Sequence, residues 1–216
     1  MRRHERWIAV LFVLQTLMFF VLYRVQASRQ TVVSSAQPHR VSIAAGLLIG
    51  DKKQRFGNPS APYTLVEFGD YQCPACAYRA ADVEKLLAMY PDRLSFCFHH
   101  FPLKFHPYAM QCAMVSEMAR ELGQFWRVYE GLYALKTKVS PQQVRHMLDQ
   151  LHINISHLSQ AQVEAAKQRV RADMKLGQQC GVNATPTFFL CCPDGRVYQL
   201  YEPMQAIWFM HKPVTY

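Results

Sequence analysis

Three patterns are absent from this 216-residue sequence, and their absence narrows the classes of protein that it can encode. The formal net charge is +9, but the lysines and arginines are spread along the chain without the dense runs of a nucleic-acid-binding surface, so no nucleic-acid partner is expected. No internal repeat or low-complexity tract is present. A Cys-X-X-Cys motif occurs once, without a second one at zinc-finger or zinc-ribbon spacing. Half of the residues are hydrophobic, which is enough for one domain with a substantial core.

The motif Cys73-Pro74-Ala75-Cys76 follows a short apolar segment, which we predict to be a buried strand that stops at Gly69. Proline presets φ for a first helical turn, so Cys73 is expected at the mouth of a helix and Cys76 one turn inside it. A thiol in that position faces unpaired N–H groups and the positive end of the helix dipole, which favour its thiolate. The sequence therefore predicts Cys73 as the attacking thiolate and Cys76 as the more buried partner that resolves a mixed disulfide.

Glu67 lies in this otherwise apolar strand, where an unpaired carboxylate is costly. We hypothesise that it sits under the cysteine pair and relays the proton that Cys76 loses or gains. Two alternatives stay open: Glu67 as a surface residue of an edge strand, and the motif as half of a zinc site with His99 and His100 as the nearby ligands. The strand–motif–helix order favours redox chemistry without a bound metal or other cofactor.

Residues 1–27 are predicted to be a signal anchor or a signal peptide. Three arginines among the first six residues precede a nearly unbroken apolar run, Trp7 to Tyr23, which is short for a spanning helix and long for a signal-peptide core. The anchor is the preferred interpretation, with the rest of the chain facing the periplasm or the cell exterior, where disulfide chemistry is supported. Secretion after cleavage at Ala27 is the alternative.

The remaining elements form a strand–helix–strand unit, four helices and a β-hairpin. Residues 28–56 are predicted to be a polar linker with an edge strand within Val41–Ile49. The first helix runs to Tyr90, and the second strand covers Leu94–Phe101. Helices are expected over Pro107–Leu122, Phe125–Leu135, Ser140–Leu151 and Ser156–Gln179. The hairpin strands are Thr187–Cys192 and Val197–Tyr201, with at most a short helix over Met204–Met210.

This order, with V-E-F-G-D-Y-Q-C-P-A-C near its start and G-V-N-A-T-P-T-F-F near its end, resembles the DsbA-like branch of the thioredoxin superfamily. F-P-L-K-F-H-P-Y-A (Phe101–Ala109) and G-Q-F-W (Gly123–Trp126) are similar to the opening of the helical insert that interrupts the thioredoxin fold in that branch. The resemblance implies an α/β thioredoxin fold over residues 57–216, with a helical insert at about 105–180, preceded by the N-terminal transmembrane or signal helix.

The resemblance also implies the roles of individual residues. Cys73 is similar to the family's nucleophilic cysteine, Cys76 to its resolving cysteine and Glu67 to its buried acid. Thr185-Pro186 is similar to the cis-proline loop, where the backbone of Thr185 would pair with an extended substrate peptide beside Cys73. The sequence departs from the family pattern at Ala184, which stands where glycine is common, and at Cys191-Cys192, which occupy a strand end where polar residues or glycine are expected.

The function implied is extracytoplasmic thiol–disulfide exchange, with oxidation of exported proteins preferred over a membrane-tethered reductase or a non-catalytic peptide-binding module. The expected partners are cysteine-containing exported proteins and a membrane redox protein that recycles the Cys-X-X-Cys motif. The other five cysteines have no family role. Among them, Cys112 and Cys180 are the most plausible second disulfide, and buried thiols are the alternative for each.

Overall fold

The computed structural model describes residues 15–20, 37–50, 55–136 and 139–211. The chain divides into two compact units, Met1–Gln37 and Pro38–Tyr216. Residues 15–20 of the first unit are helical, and the rest of the predicted signal anchor, with the cleavage site at Ala27, lies outside the described residues. Among the residues that are described, no helix combines the length and apolarity needed to cross a membrane.

The second unit contains short strands and helices in the predicted order. Its strands are β1 (His39–Val41), β2 (Phe56–Gly57), β3 (Tyr63–Gly69), β4 (Leu94–His100), β5 (Thr187–Cys191) and β6 (Val197–Leu200). Its α-helices are α1 (Ala45–Ile49), α2 (Pro74–Met89), α3 (Ala109–Arg120), α4 (Phe125–Ala134), α5 (Pro141–Gln150), α6 (Gln160–Gln179) and α7 (Ile207–Met210). A 3₁₀ turn, Pro203–Ala206, leads into α7.

The described strands form one mixed sheet in the order β1-β6-β5-β3-β4-β2. Strands β3 and β4 are parallel, and α2 connects them. Strand β5 pairs antiparallel with the other side of β3 and forms the predicted hairpin with β6. Every residue of β3 is buried, and this strand lies in the interior of the sheet. The edge-strand alternative for Glu67 is therefore wrong.

Two apolar clusters cover the two faces of the sheet, as the alternation of side chains along a strand requires. One contains Leu65 of β3 and is built mainly with α2, α3 and α4. The other contains Val66 and Phe68 of the same strand and is covered by α1 and α6. Glu67 has the parity of Leu65, so its side chain faces the α2 and α4 side, which is also the side of Cys76.

The prediction of an edge strand within Val41–Ile49 is wrong in its bounds. The strand is shorter and earlier, His39–Val41, and pairs with β6 at the edge of the sheet. Ala45–Ile49 forms α1 instead. The Leu48 side chain of this helix is buried in the second cluster, and the Leu48 carbonyl oxygen lies 2.7 Å from His99 Nε2. A short apolar run can form either a helix or a strand, so the contacts of Leu48 with distant residues determine that this segment is helical.

Two further differences have equally local causes. The last long helix begins at Gln160 rather than at Ser156, because Ser159 and Gln162 form a reciprocal capping box at its start. All seven cysteines are free thiols, so Cys112 and Cys180, the pair considered for a second disulfide, do not form one, and the alternative of unpaired thiols holds. Cys112 belongs to the cluster on the α2 face, whereas Cys180 packs against the cluster on the opposite face, so the sheet separates them.

Gly177 lies where α6 packs tightly against Phe68 of β3 and against Phe101. A Cβ atom there would lie 2.6 Å from Phe101 Cδ2 and 3.1 Å from Phe68 Cδ1. Gly177→Ala is expected to lower the free energy of unfolding by about 1–3 kcal/mol, because overpacking outweighs the gain in helix propensity. In the control, Gly46→Ala in α1, the new methyl group has nothing within 4 Å, so no loss is expected. Urea unfolding measures both variants, and equal effects would contradict the packing.

Candidate active site

The loop between β3 and α2 is held by one buried carboxylate, that of Asp70. Its Oδ1 accepts a hydrogen bond from the Gln72 N–H at 2.8 Å, which shapes the turn into the Cys-X-X-Cys motif. Its Oδ2 accepts a bond from the Leu103 N–H at 2.8 Å and lies 2.7 Å from His106 Nδ1. Asp70 therefore connects the loop that carries Cys73 to the segment that follows β4.

Cys73 is the N-cap residue of α2, with Pro74 in the first helical turn. Its side chain is buried, and its Sγ lies 3.2 Å from the carbonyl oxygen of Thr185. A hydrogen bond from the Cys76 thiol lowers the pKa of Cys73 to about 5, against the opposing effect of burial. The Thr185 side chain and the N–H groups of Cys76 and Ala75 act in the same direction. These donors stabilise the thiolate predicted from the helix N-terminus.

Cys76 has the opposite electrostatic environment only one helical turn away. It is fully buried in α2, and burial is the main cause that raises the pKa of its thiol far above the usual range. The hydrogen bond that it makes to Cys73 and the negative charge of Glu67 raise this pKa further. At neutral pH, Cys73 is thus a thiolate and Cys76 a thiol, which separates the attacking cysteine from its partner.

Glu67 lies below the cysteine pair with no solvent exposure. Neither of its carboxyl oxygens has a hydrogen-bond partner of normal geometry among the described residues. Burial raises the pKa of Glu67 to about 8, with the charge of Cys73 acting in the same direction and the Cys76 thiol opposing it. Near neutral pH, the carboxyl group therefore holds its proton close to a thiol.

The loop before β5 completes the site. The peptide bond between Thr185 and Pro186 is cis, as the resemblance predicted. The Thr185 carbonyl oxygen faces Cys73 Sγ at 3.2 Å. The five residues selected from the sequence thus meet at one end of the sheet. They combine a nucleophilic thiolate, a protonated second thiol, a buried acid and an adjacent backbone segment.

The ligand set of the zinc alternative is not assembled. His99 lies on the sheet face opposite Cys76, with Nδ1 2.8 Å from Asp173 and Nε2 2.7 Å from the Leu48 carbonyl. His100 Nε2 lies 3.0 Å from Glu117. Both imidazoles are therefore engaged by groups other than the two thiols.

Two sets of residues at the site were missed by the sequence reasoning. Asp70 stands in the motif G-D-Y-Q, where a carboxylate directly after a buried strand is a detectable signal, but its partner His106 is distant in the chain. The second set is a cluster of three tyrosines on the Glu67 side of the sheet. Tyr71 precedes α2, and Tyr129 and Tyr133 lie in α4. Aromatic residues in a helix are ordinarily core residues, so no local pattern set them apart.

Comparison with known proteins agrees with this fold. A family model described as Thioredoxin matches residues 51–206, which is most of the chain. The chain therefore belongs to the thioredoxin family. Its helices between β4 and β5 agree with a DsbA-like fold, a thioredoxin fold interrupted by a helical insert, as the sequence motifs predicted.

Solved structures and a curated relative add detail. DsbA2 of Pseudomonas aeruginosa superposes with a TM-score of 0.59 at 19% identity, over 76% of this chain and 97% of that one. A periplasmic thioredoxin-like protein of Salmonella enterica serovar Typhimurium gives 0.61 at 21%, over 76% and 90%. Na(+)/H(+) antiporter NhaA 1 of Mycobacterium sp. (strain KMS) is 32% identical over 138 residues, 62% of this chain and 22% of that protein. The chain thus spans about a fifth of the curated relatives' length.

The lowered pKa of Cys73 predicts its reactivity. In the reduced protein, alkylation of Cys73 by iodoacetamide is expected to rise with pH through a midpoint near 5, because the thiolate is the reacting species. Cys192 is an internal control, since burial raises the pKa of its thiol to about 12 and it should stay unreactive well above neutral pH. Peptide mass spectrometry after pulses at each pH measures both sites. A Cys73 midpoint above pH 8 would contradict the geometry.

Proposed function

We propose that this protein is a thiol–disulfide oxidoreductase whose reaction is carried by Cys73 and Cys76. The observation that supports the proposal most strongly is the position of Cys73. It combines a helix N-terminus, a pKa of about 5 and a contact of 3.2 Å with the Thr185 carbonyl, next to a thiol that stays protonated. An attacking thiolate beside a resolving thiol is the arrangement that disulfide exchange requires.

The preferred direction is oxidation of substrate thiols. A substrate thiolate attacks Sγ of Cys73 in the Cys73–Cys76 disulfide, which breaks the S–S bond and forms a mixed disulfide. Cys76 leaves as a thiolate and takes the proton of Glu67. A second substrate thiolate then attacks the substrate sulfur, which forms the substrate disulfide and releases Cys73 as a stable thiolate. Glu67 regains a proton from solvent, so the negative charge of the dithiol form resides on Cys73. Two electrons pass from the substrate to the protein, which ends as a dithiol.

The loop at Thr185 and Pro186 is proposed to hold the substrate. Its backbone lies beside Cys73 at the start of β5, so an extended peptide that carries the reacting cysteine can pair with it as an additional strand would. Such recognition uses main-chain hydrogen bonds and therefore accepts varied sequences. That breadth suits unfolded or partly folded exported proteins as substrates, with a membrane redox protein that returns the pair to the disulfide.

The domain is proposed to work outside the cytoplasm, tethered by the apolar run from Trp7 to Tyr23. The arginines before that run support this orientation. The similarity to the Salmonella protein, which is described as periplasmic, agrees with it. Amino-terminal sequencing of the native protein is expected to start at Met1. A start at Ser28 would replace the anchor by a cleaved signal peptide, and resistance to protease in intact spheroplasts would contradict the orientation.

Single cysteine substitutions test the reaction. Cys73→Ser is expected to lower insulin-reduction and thiol-oxidation activity by at least about 100-fold, because the nucleophile is lost. Cys76→Ser should still attack but accumulate mixed disulfides at Cys73. Cys180→Ser is the matched control and should keep its activity, since Cys180 packs on the opposite side of the sheet. Wild-type activity in Cys73→Ser would end the assignment.

The reduction potential decides the direction of electron flow. Stabilisation of the Cys73 thiolate favours the reduced protein and makes the disulfide oxidising, although Ala75 contributes no side-chain donor. Equilibration of the purified domain with glutathione buffers is expected to give a potential clearly above the roughly −270 mV of thioredoxin. A value near or below that figure would favour the reductase alternative.

A further inference from the structure

Two buried tyrosine hydroxyls lie on the same side of the sheet as the active-site acid, Glu67, and have no role in the reaction described above. The hydroxyls of Tyr129 and Tyr133 are buried and have no hydrogen-bond partner of normal geometry among the described residues. Both carboxyl oxygens of Glu67 share this property. Four polar oxygens left unpaired in one apolar cluster would be costly if they did not serve one another.

The packing brings these groups to the same side of the sheet. Tyr129 and Tyr133 are one turn apart on α4, and their ring centroids are 4.9 Å apart. Both rings pack on Phe98 of β4, with centroid distances of 5.1 Å and 6.2 Å. Phe98 is the direct neighbour of Glu67 across the parallel β3–β4 pair.

Gly69 shows how close the acid is to this aromatic cluster. A Cβ atom built there would lie 2.8 Å from Glu67 Oε1 and also 2.8 Å from Phe98 Cζ. The carboxyl group and the Phe98 ring therefore meet at one glycine, and both tyrosine rings pack on that same Phe98 ring. Consistent with this, the charge of Glu67 is the largest influence after burial on the pKa of each tyrosine, and raises both.

Proton transfer from Glu67 to Cys76 leaves a buried carboxylate that needs hydrogen-bond donors. When Cys76 leaves as a thiolate and takes the proton of Glu67, one negative charge moves from sulfur to a carboxylate with no solvent exposure. Besides burial, the groups that shift the pKa of Glu67 are the two thiols, and neither is a cation. A neutral hydroxyl that donates to a buried carboxylate stabilises it without adding charge.

We propose that the Tyr129 and Tyr133 hydroxyls are positioning groups that stabilise the Glu67 carboxylate after it has protonated Cys76, directly or through a buried water. This inference rests on the proposed thiol–disulfide exchange. The titratable groups around the acid are Tyr71 and Cys73 in the loop before α2, Cys76 and Glu84 of α2, His100 of β4, and Tyr129 and Tyr133 of α4. The Tyr71 hydroxyl is also buried without a partner of normal geometry among the described residues, but Tyr71 is left out because the charge of Glu67 is not among the causes that shift its pKa.

Phenylalanine substitutions remove the hydroxyls but keep the rings. In protein labelled with carboxyl-¹³C glutamate, the Glu67 signal is assigned by its loss in Glu67→Gln. The double variant Tyr129→Phe/Tyr133→Phe is expected to raise the titration midpoint of Glu67 by about one pH unit, a tenfold change, because the carboxylate loses its donors. Tyr63→Phe is the control: Tyr63 lies on β3 with Glu67, but its hydroxyl donates to the Phe209 carbonyl at 3.2 Å. An unmoved midpoint in the double variant overturns the proposal.

A kinetic cycle distinguishes this role from simple packing. The double tyrosine variant is expected to slow reduction of the Cys73–Cys76 disulfide by dithiothreitol about threefold to tenfold at pH 7, because Glu67 becomes a weaker acid. In a Glu67→Gln background, the same substitutions should have no further effect. Equal slowing in both backgrounds overturns the proposal. Since the carboxyl titration needs no activity, its outcome is independent of whether the wild-type protein exchanges disulfides at all.

Discussion

The position of Cys73 at the N-terminus of α2, beside the Thr185 carbonyl, is the constraint on which the rest of the site depends. Backbone N–H groups at the start of a helix lack partners within it, and together with the helix dipole they favour a thiolate at this position. To hold the sulfur in place, β3 must end at Gly69, and Asp70 must fasten the loop to the segment after β4. The loop before β5 must also lie within 3.2 Å of Cys73.

A second constraint is that the site has room for one negative charge. The charge of Cys73 raises the pKa of Glu67, and the charges of Cys73 and Glu67 both raise the pKa of Cys76. The Cys76 thiol in turn lowers the pKa of Cys73 through a hydrogen bond. The charge therefore resides on Cys73 in the dithiol form, and Cys76 and Glu67 keep their protons. Neighbouring acidic groups cannot all ionise at short range, because their negative charges repel one another. Proton transfer and electron transfer are therefore coupled, and the two thiols and the carboxyl group titrate together.

Most of the site was predictable because its chemistry is concentrated in two short motifs. The turn from β3 into α2 is encoded by consecutive residues, and the loop at Thr185 and Pro186 by four or five more. The family resemblance predicted that these two motifs, which are distant in the sequence, lie side by side in the fold. The bounds of α1 and the short strand β2 were not predictable, since Leu48 and Phe56 are placed by contacts with distant elements. The same holds for the tyrosines above Glu67, whose position on α4 becomes informative only once that helix packs on Phe98.

The central claim is that Cys73 and Cys76 exchange electrons as a pair while the other cysteines stay inert. Its most direct test is to react the fully reduced protein with one equivalent of oxidised glutathione, quench with acid and map the disulfides by peptide mass spectrometry. We expect a Cys73–Cys76 disulfide with two equivalents of reduced glutathione released, preceded by a glutathione adduct on Cys73. The five remaining cysteines should stay free. A first adduct on Cys180 or Cys192, with Cys73 and Cys76 still reduced, would contradict it.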